Sequence, residues 1–413
     1  MIVTPTWKDE LAELRSGLAA RPDLFHYHYL IANVLYRRGY FSEAMSHVEG
    51  ANRKREHYAK SFNLPAEGTR YLGPEWFAWI GHLASLDAYF KAKAMGLLGD
   101  RKVKLVTQDK TIANPALFDY FRPFFDEVTD SYSHDERKTE YFRADYLSGL
   151  TMGDGSFVHY DQLRSEVLLA WDEQRREPLL KLTEDHLTRG EEALRRLGLP
   201  RGAWFVALHV RNNQNTPFFD SRNADLNEYE QAAHMITKWG GHVIRMGEPR
   251  PDPPDWPCLI NYPESDEKSD WMDVYLSASC RFFLGTQSGL CEVPGCFGVP
   301  CALTNVVTLG ISSPYPANRF LLQDLVSDVT GRSLSLVQRL NEPFISMQDP
   351  DAMRRLSVHL VPNSPEEIED LALEVLLNEY PAKGAAAFDA LKSEGNFLGN
   401  AQPGSAFLRR YLP

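Results

Sequence analysis

The sequence predicts an α/β protein in which parallel strands alternate with helices. Apolar runs such as residues 204–208 and 282–284, the latter in the predicted strand 281–284, are typical of strands that are buried on both faces of a parallel sheet. The segments between them, such as residues 227–239, have the hydrophobic spacing of amphipathic helices. A chain of 413 residues is longer than one hydrophobic core usually serves, so we expect two α/β domains.

The N-terminal segment predicts a helical hairpin. Ala32, Gly39, Phe41, Ala44 and Ala51 occupy the small and aromatic positions of a single tetratricopeptide-like repeat. Such repeats bury their faces by stacking on neighbours, and only one copy is visible in the sequence. We therefore expect an N-terminal cap, or a contact that forms a homodimer, instead of a peptide-binding array.

Turn-forming residues divide the rest of the chain. The run at 198–202 holds two glycines and a proline and marks a linker, while Ser364 starts a capping box that opens the last predicted helix. Before the linker, a long helix is expected at 76–98 and a short strand at 102–106. The predicted parts are a helical hairpin over 1–60, an α/β domain over 61–197, a second α/β domain over 198–380 and an extended tail over 381–413.

The charge of the chain limits its partners. A formal net charge of −12 argues against nucleic acid or an anionic membrane as a general partner, because both require a positive surface. No apolar run approaches the roughly 18 residues of a membrane span, and the polar start does not resemble a signal peptide. We expect a cytoplasmic protein with no transmembrane segment. Its five cysteines, between Cys258 and Cys301, are expected to be core thiols.

Polar residues follow three predicted strands of the second domain. In parallel α/β sheets, ligands bind beyond the carboxyl ends of the strands, where loops and helix N-termini converge. We therefore expect these residues to form one site. They are His209, Arg211, Asn212 and Asn213 after the first strand, Arg245 and Gly247 after the second, and Gly285, Thr286, Gln287, Ser288 and Gly289 after the third.

These residue types favour an anionic ligand that contains phosphate. The planar guanidinium of Arg grips phosphate oxygens, and glycines and hydroxyls offer hydrogen-bond donors to a diphosphate. An isolated His-x-Arg is more often a solvent-facing rim with an ion pair, but here three neighbouring loops carry compatible residues. Neither the ATPase P-loop nor the dinucleotide-binding glycine motif is present. The Asp-x-Asp at 349–351 is predicted to be a surface turn, so we expect neither a metal nor a cofactor.

Several of these segments resemble a bacterial family of proteins that are regarded as glycosyltransferases. The His209-Val210-Arg211 element is also similar to the first motif of fucosyltransferases that use GDP-fucose. These likenesses imply a GT-B fold with two facing Rossmann-like domains, the donor in the C-terminal domain and the acceptor mainly in the N-terminal domain. They also imply inversion at the anomeric carbon. The segments that carry the first likeness are 80–83, 205–211, 242–247, 270–274, 280–289, 293–300 and 363–368.

The resemblance implies roles for individual residues. The matching Arg211 contacts the diphosphate of a nucleotide sugar, here expected to be GDP-linked, and the loop from Thr286 to Gly289 completes the cradle. Asn212-Asn213 departs from the fucosyltransferase pattern, which leaves the sugar and the nucleotide base of the donor open. Related proteins act in surface-polysaccharide and natural-product pathways, including thiol glycosylation in lincosamide assembly. From this resemblance we expect a small or lipid-linked acceptor that is glycosylated on oxygen, sulfur or nitrogen.

A hydroxyl acceptor requires a general base, whereas a thiol acceptor does not. For most of the residues that are candidates for the base or for acceptor contact, a structural role is an equal alternative. Two other functions stay open: a non-catalytic scaffold on a degenerate enzyme, against which the retained His209, Arg211 and Ser288 argue, and a phosphatase, for which the sequence shows no nucleophile. The candidates for the base are His209, Asp273 and Glu292, and those for acceptor contact are Arg70, His82 and Asp87.

Overall fold

The structure is a computed structural model that divides the chain into two compact units, Met1–Gln174 and Arg175–Pro413. The predicted α/β class is confirmed, because each unit holds a sheet of parallel strands with helices around it. The structure describes residues 7–36, 40–64, 69–107, 111–130, 138, 141–142, 144–147, 149–212, 217–309, 313–341, 343–345, 347–379, 387–391 and 399–412.

The first unit begins with three helices. Their packing depends on two glycines, since a Cβ at Gly17 would lie 2.4 Å from the ring of Tyr27 and one at Gly50 would lie 2.9 Å from the ring of His28. The first helix is not predicted from the sequence, whereas the other two occupy the predicted hairpin segment. Gly39 lies outside the described residues, and the tetratricopeptide likeness stays a prediction. The helices are α1 (Trp7–Ala20), α2 (His26–Tyr36) and α3 (Phe41–Ser61).

Four parallel strands form the sheet of the first unit in the spatial order β3-β2-β1-β4. The strand order reverses at β1, so the ends of β1 and β4 lie side by side. A separate antiparallel pair, β5 and β6, follows. The strands are β1 (Thr69–Leu72), β2 (Lys102–Val106), β3 (Glu127–Thr129), β4 (Ala144–Asp145), β5 (Leu150–Thr151) and β6 (Phe157–Val158).

The long helix predicted at 76–98 is interrupted. The hydroxyl of Ser85 donates to the carbonyl of Gly81 one turn earlier, at 3.0 Å, and such a bond competes with the helical ladder and bends it. Two helices therefore form on either side of Ser85, after a 3-10 turn at Pro74–Trp76. The helices of this part are α4 (Ile80–Ala84), α5 (Leu86–Ala94), α6 (Pro115–Phe121) and α7 (Tyr160–Glu173).

The second unit contains a sheet of seven parallel strands in the described residues, in the order β15-β12-β11-β10-β7-β8-β9. Strand β7 is central: the chain adds β8 and β9 on one side of it, then returns to add β10 and the later strands on the other. Strand β10 is buried along its whole length, as the apolar sequence predicts. The strands are β7 (Phe205–His209), β8 (His242–Arg245), β9 (Leu259–Asn261), β10 (Phe282–Thr286), β11 (Cys301–Val306), β12 (Arg319–Leu322) and β15 (Gln402–Pro403).

Smaller elements complete the second unit. Strands β13 (Asp324–Ser327) and β14 (Val358–Val361) form an antiparallel pair. The capping box predicted at Ser364 is confirmed: its hydroxyl accepts from the N–H of Glu367, whose carboxylate accepts from the N–H of Ser364 at 3.1 Å. The helices are α8 (Glu184–Arg196), α9 (Glu230–Lys238), α10 (Asp270–Ser279), α11 (Val293–Cys296), α12 (Leu336–Arg339), α13 (Pro350–Arg355), α14 (Pro365–Leu377) and α15 (Ser405–Tyr411).

Helix α8 places the division between the units earlier than the predicted linker. Gly190 on this helix lies against Tyr275 on α10, and a Cβ at Gly190 would lie 2.0 Å from that ring. The helix therefore packs on the second unit, and the units divide at Gln174. The run at 198–202 is a real turn, with positive φ at Gly198 and Gly202, but it connects α8 to β7 within one unit.

The described part of the C-terminal tail is not extended as predicted. Strand β15 pairs in parallel with β12 and becomes the edge of the sheet. Helix α15 follows it, and its Phe407 is only 2% exposed. The ring of Phe407 packs against Phe320 of β12 at a centroid distance of 5.4 Å. These contacts make the last residues part of the core of the second unit, although the segment lacks a clear hydrophobic period in sequence.

Candidate functional site

The candidate site lies where β7 and β10 end side by side. Because the chain builds the sheet in opposite directions from these two strands, their carboxyl ends form the switch point at which open α/β sheets bind ligands. Gly285 of β10 pairs with His209 of β7, and a Cβ at Gly285 would lie 1.9 Å from the carbonyl oxygen of His209. Glycine is therefore required here, which brings the loop after β10 directly beside the end of β7.

Arg211 is held at this edge by its backbone and by its side chain. Its N–H donates to the hydroxyl of Thr286 at 2.8 Å, and Thr286 is fully buried. Its guanidinium donates to the amide oxygen of Asn223 at 2.5 Å, and that amide in turn donates to Asp220 at 3.3 Å. Arg211 is partly exposed, so a cation lies at the solvent edge of the switch point. Thr286 itself orients the loop instead of facing a ligand.

His209 lies in the middle of this cluster. Its Nδ1 is 3.2 Å from the hydroxyl of Ser288, and its ring lies against Gly247, where a Cβ would lie 3.3 Å from Nε2. Burial, followed by the positive charges of Lys268, Arg211 and Arg245, lowers the pKa of His209 to about 4. The imidazole is therefore neutral near pH 7.

The loop after β10 begins a short helical segment. A 3-10 turn at Leu290–Glu292 continues directly into α11, and the N–H groups at the start of such a segment have no intrahelical partner. Gly289 is exposed at this start and Gln287 is partly buried. The thiol of Cys291 donates to the carbonyl of Ser288 at 3.0 Å, which fixes the loop. The N–H groups of Ser288 and Cys291 are bonded within the loop, and the exposed Gly289 lies between them, on the loop that follows β10.

Two further predicted residues stand at the rim of the site. Asn212 is exposed immediately after Arg211, and Asn213 lies outside the described residues. Glu292 is partly buried in the 3-10 turn, and its carbonyl accepts from the thiol of Cys296 at 3.5 Å. The contacts described for Glu292 lie within the protein, so its predicted role as a general base for the sugar acceptor stays a prediction.

Arg245 is buried and bonded within the scaffold, and its predicted contact with phosphate stays a prediction. The residue is 3% exposed, and its guanidinium forms an ion pair with Glu264 at 2.5 Å. It also donates to the amide of Asn261 at 2.9 Å and to the carbonyl of Glu248 at 3.1 Å. Arg245 is the last residue of β8 and pairs in register with Asn261, so its side chain ties β8 to β9 and to the following turn.

Lys268 is a cation of this edge that the sequence did not single out. It follows β9 and the 3-10 turn at Tyr262–Glu264, and its ammonium lies 5.4 Å from the centroid of the Tyr262 ring. The only sequence signal was its place after a strand, and β9 is three residues long and escaped prediction.

Asp273 holds Lys268 through an ion pair of 2.5 Å. Burial raises the pKa of Asp273, and the Lys268 charge opposes that shift. Because its carboxylate neutralises a lysine, the geometry favours a positioning role for Asp273 over the predicted role as a base.

Two other sequence features have structural explanations. The carboxylate of Asp349 caps α13 by accepting from the N–H of Asp351 at 2.9 Å, so the Asp-x-Asp motif starts a helix instead of forming a surface turn. The cysteines are free thiols, four of them buried, and Cys258 is partly buried. Burial raises the pKa of Cys280 to about 12. Thiols of this kind are unreactive, as expected for core residues.

The three acceptor candidates belong to the first unit, and two of them are structural. Arg70 is 4% exposed, pairs with Asp145 at 2.8 Å and donates to two backbone carbonyls, of Leu98 and Thr151. Asp87 is fully buried and pairs with Lys91 at 2.7 Å. Both residues are thus buried and paired within the first unit, and their predicted contact with an acceptor stays a prediction.

The third candidate for contact with the sugar acceptor is His82, in the segment that follows β1 of the first sheet. It is partly exposed on α4, and its Nδ1 is 2.9 Å from the carbonyl oxygen of Glu75. Because a carbonyl only accepts, Nδ1 carries the proton and Nε2 is the basic nitrogen. The predicted contact between His82 and an acceptor stays a prediction.

The comparisons with known proteins are reported against this geometry. No protein-family model matches the chain, and no curated protein is similar to it. Three solved structures similar to parts of it are a glycosyl transferase family 9 protein from Veillonella parvula (10% identity, 63% of this chain and 86% of that one, TM-score 0.40), the E. coli ADP-heptose heptosyltransferase II of lipopolysaccharide (13%, 76% and 99%, 0.44) and the glycosyltransferase SnogD from Streptomyces nogalater (12%, 88% and 80%, 0.24).

These likenesses are distant. Identities of 10%, 13% and 12%, with TM-scores that stay below 0.5, give no basis for transferring a substrate or a mechanism. What the chain itself defines is an α/β protein of two units whose second unit has a cationic switch point. Within the described residues, no helix is both long and apolar enough to span a membrane.

Proposed function

We propose that the chain is a glycosyltransferase of GT-B type that takes its sugar from a nucleotide diphosphate sugar. The observation that carries the proposal is the meeting of Arg211, the neutral His209 and the start of the segment after Gly289 at one switch point. A diphosphate needs cationic and N–H donors in one place, and this edge supplies both. The presence of His209, Arg211 and Ser288 supports an active enzyme over a non-catalytic scaffold on a degenerate enzyme.

The chemistry follows from what this edge can stabilise. The acceptor heteroatom attacks the anomeric carbon from the face opposite the leaving diphosphate, the bond between that carbon and the diphosphate oxygen breaks, and its electron pair leaves with the diphosphate. Arg211 and the backbone N–H groups stabilise the charge that develops on the leaving oxygen. The acceptor proton passes to a base or to solvent. On this proposal the reaction inverts the anomeric carbon and needs no metal.

The donor and acceptor classes rest on the sequence resemblance. The likeness of His209-Val210-Arg211 to the first motif of GDP-fucose enzymes supports a GDP-linked donor. A small or lipid-linked acceptor, in a natural-product or surface-polysaccharide pathway, is supported by the related bacterial family, and a thiol acceptor is included. The acceptor is assigned to the first unit. A cytoplasmic location and a homodimer through the N-terminal helices stay predictions.

Binding of nucleotides to two arginine variants tests the proposal. We expect GDP to raise the melting temperature more than UDP or ADP, with and without a chelator. Arg211→Ala should weaken GDP binding by about tenfold or more, because it removes a charge-assisted hydrogen bond. Arg201→Ala is the matched control: Arg201 is exposed in the same unit, but it precedes β7 and so lies at the opposite edge of the sheet.

Each outcome has a distinct meaning. Loss of binding in Arg211→Ala, with Arg201→Ala unchanged, supports the site. Binding of UDP or ADP in preference to GDP keeps the transferase and corrects the donor. If none of the three nucleotides binds the intact chain, the proposed function fails and the scaffold becomes the better explanation.

A further inference from the structure

A chain of hydrogen bonds runs from the backbone of the loop after β10 to the ring of His209. The N–H of Cys291 donates to the hydroxyl oxygen of Ser288 at 3.4 Å. The same hydroxyl lies 3.2 Å from Nδ1 of His209. The loop thus contacts Nδ1 of the imidazole, whereas Nε2 lies beside Gly247.

The roles of the groups in this chain set the position of the proton on His209. A backbone N–H only donates, so the Ser288 oxygen accepts from Cys291. The hydroxyl of Ser288 also has one proton to donate, and among its described contacts Nδ1 of His209, at 3.2 Å, is the group that can accept it. With Nδ1 accepting, the single proton of a neutral imidazole is on Nε2.

The surroundings of Nε2 agree with a donor that faces a ligand. A Cβ at position 247 would lie 3.3 Å from Nε2, so the glycine places no side chain of its own beside this nitrogen. Gly247 has a φ of +100°, and it follows β8 at the carboxyl edge of the sheet, as His209 ends β7 there. The Nε2–H group therefore lies at the edge where the donor phosphates are proposed to bind.

We propose that Ser288 is a positioning residue that holds His209 in the tautomer with the proton on Nε2, and that this N–H donates to a phosphate oxygen of the donor. The inference rests on the proposed function for the identity of the ligand. It replaces the predicted role of His209 as a general base, because a protonated Nε2 has no lone pair to accept the proton of an acceptor.

The electrostatics of the site are consistent with this role. Burial and the neighbouring cations lower the pKa of His209, so the ring is neutral near pH 7. A neutral donor of this kind does not change its charge when the diphosphate leaves. Arg211 provides the charge, and His209 provides a directed hydrogen bond beside it.

Nitrogen NMR of the intact chain tests the tautomer without any ligand. The protein is labelled with ¹⁵N at histidine, and the signals of His209 are identified by their absence in His209→Gln. We expect Nδ1 to show the shift of an unprotonated nitrogen and Nε2 that of a protonated one, and Ser288→Ala to weaken this preference. Protonation on Nδ1 in the wild-type chain would overturn the proposal.

Replacements that mimic one ring nitrogen at a time test the contact with phosphate. The amide nitrogen of Gln reaches the position of Nε2, whereas that of Asn reaches the position of Nδ1. Measured by calorimetry with GDP, His209→Asn should bind about tenfold more weakly than wild type, and His209→Gln should recover most of this loss. Equal losses in both variants would contradict the assignment of Nε2 as the donor.

Ser288 has its own matched pair. Ser288→Thr keeps the hydroxyl and should bind GDP much as wild type does, whereas Ser288→Ala should weaken binding about fivefold through the ring it no longer holds. Hydrogen exchange of the loop confirms that both variants fold. If Arg211→Ala abolishes GDP binding while the Ser288 and His209 variants leave it unchanged, this inference fails and the proposed function stands. If GDP, UDP and ADP all fail to bind, the proposed function fails, together with the phosphate part of this inference.

Discussion

Replacing Gly285 by Ala is expected to disrupt the switch point more than any other single methyl group. The added Cβ would lie 1.9 Å from the carbonyl oxygen of His209, and real Cβ contacts stay above 3.0 Å, so β7 and β10 have to separate by about 1.1 Å. That separation breaks ladder hydrogen bonds worth about 1 kcal/mol each, and the φ of +153° adds about 1–3 kcal/mol of strain. We expect a loss of about 4 kcal/mol in unfolding free energy.

Gly240→Ala separates the steric part of this effect from the backbone part. Gly240 also has a positive φ, of +81°, but nothing lies within 4 Å of a Cβ built on it. Its substitution should cost only about 1 kcal/mol of strain. Because the chain has two units, stability is best measured by urea-dependent hydrogen exchange on peptides that cover β7 and β10. Equal losses in the two variants would refute the reasoning about the close approach at Gly285.

Two further predictions concern buried charges. The pKa of His209 is about 4, below its ordinary value near 6.5, so the unfolded chain takes up a proton at a higher pH than the folded chain does. The unfolding free energy of the second unit should therefore fall by about 3 kcal/mol as the pH drops from about 6.5 to about 4. The fall should be smaller in His209→Gln. Urea midpoints at pH 7 and pH 4.5 measure this, and an unchanged slope in the variant would contradict it. Arg70→Met should cost the first unit about 3–5 kcal/mol, because Asp145 is left buried without its cation. Restoration by Arg70→Met with Asp145→Asn would support this, measured by hydrogen exchange of β1 and β4.

Much of the fold was predictable because it depends on local patterns. The apolar strands β7 and β10, the helix opened by Ser364 and the α/β class all follow from hydrophobic spacing and capping chemistry. The errors arise where tertiary contacts decide. Helix α8 joins the second unit through the fit of Gly190 against Tyr275, and the last residues join the sheet through β15, and neither contact leaves a periodic signal in the sequence.

The candidate site was predictable at the level of loops and less so at the level of atoms. The rule that parallel sheets bind ligands at their carboxyl ends correctly brings His209, Arg211 and Ser288 to one edge. It does not say which way a side chain turns, so Thr286 and Arg245 were grouped with them although both serve the scaffold. Lys268 was missed because β9, the strand that precedes it, is too short to show a pattern.

The contrast between Arg211 and Arg245 shows what decides whether a strand-end arginine is available to a ligand. Arg245 is inside the ladder, in register with Asn261, and β9 brings Glu264 to it, so its charge is neutralised by the scaffold. Arg211 comes two residues after the last residue of β7 and donates to the neutral amide of Asn223. The carboxylate of Asp220 also interacts with this guanidinium, but Arg211 stays partly exposed to solvent, whereas Arg245 is buried. For this reason, the proposed diphosphate site depends on Arg211, while Arg245 maintains the sheet beneath it.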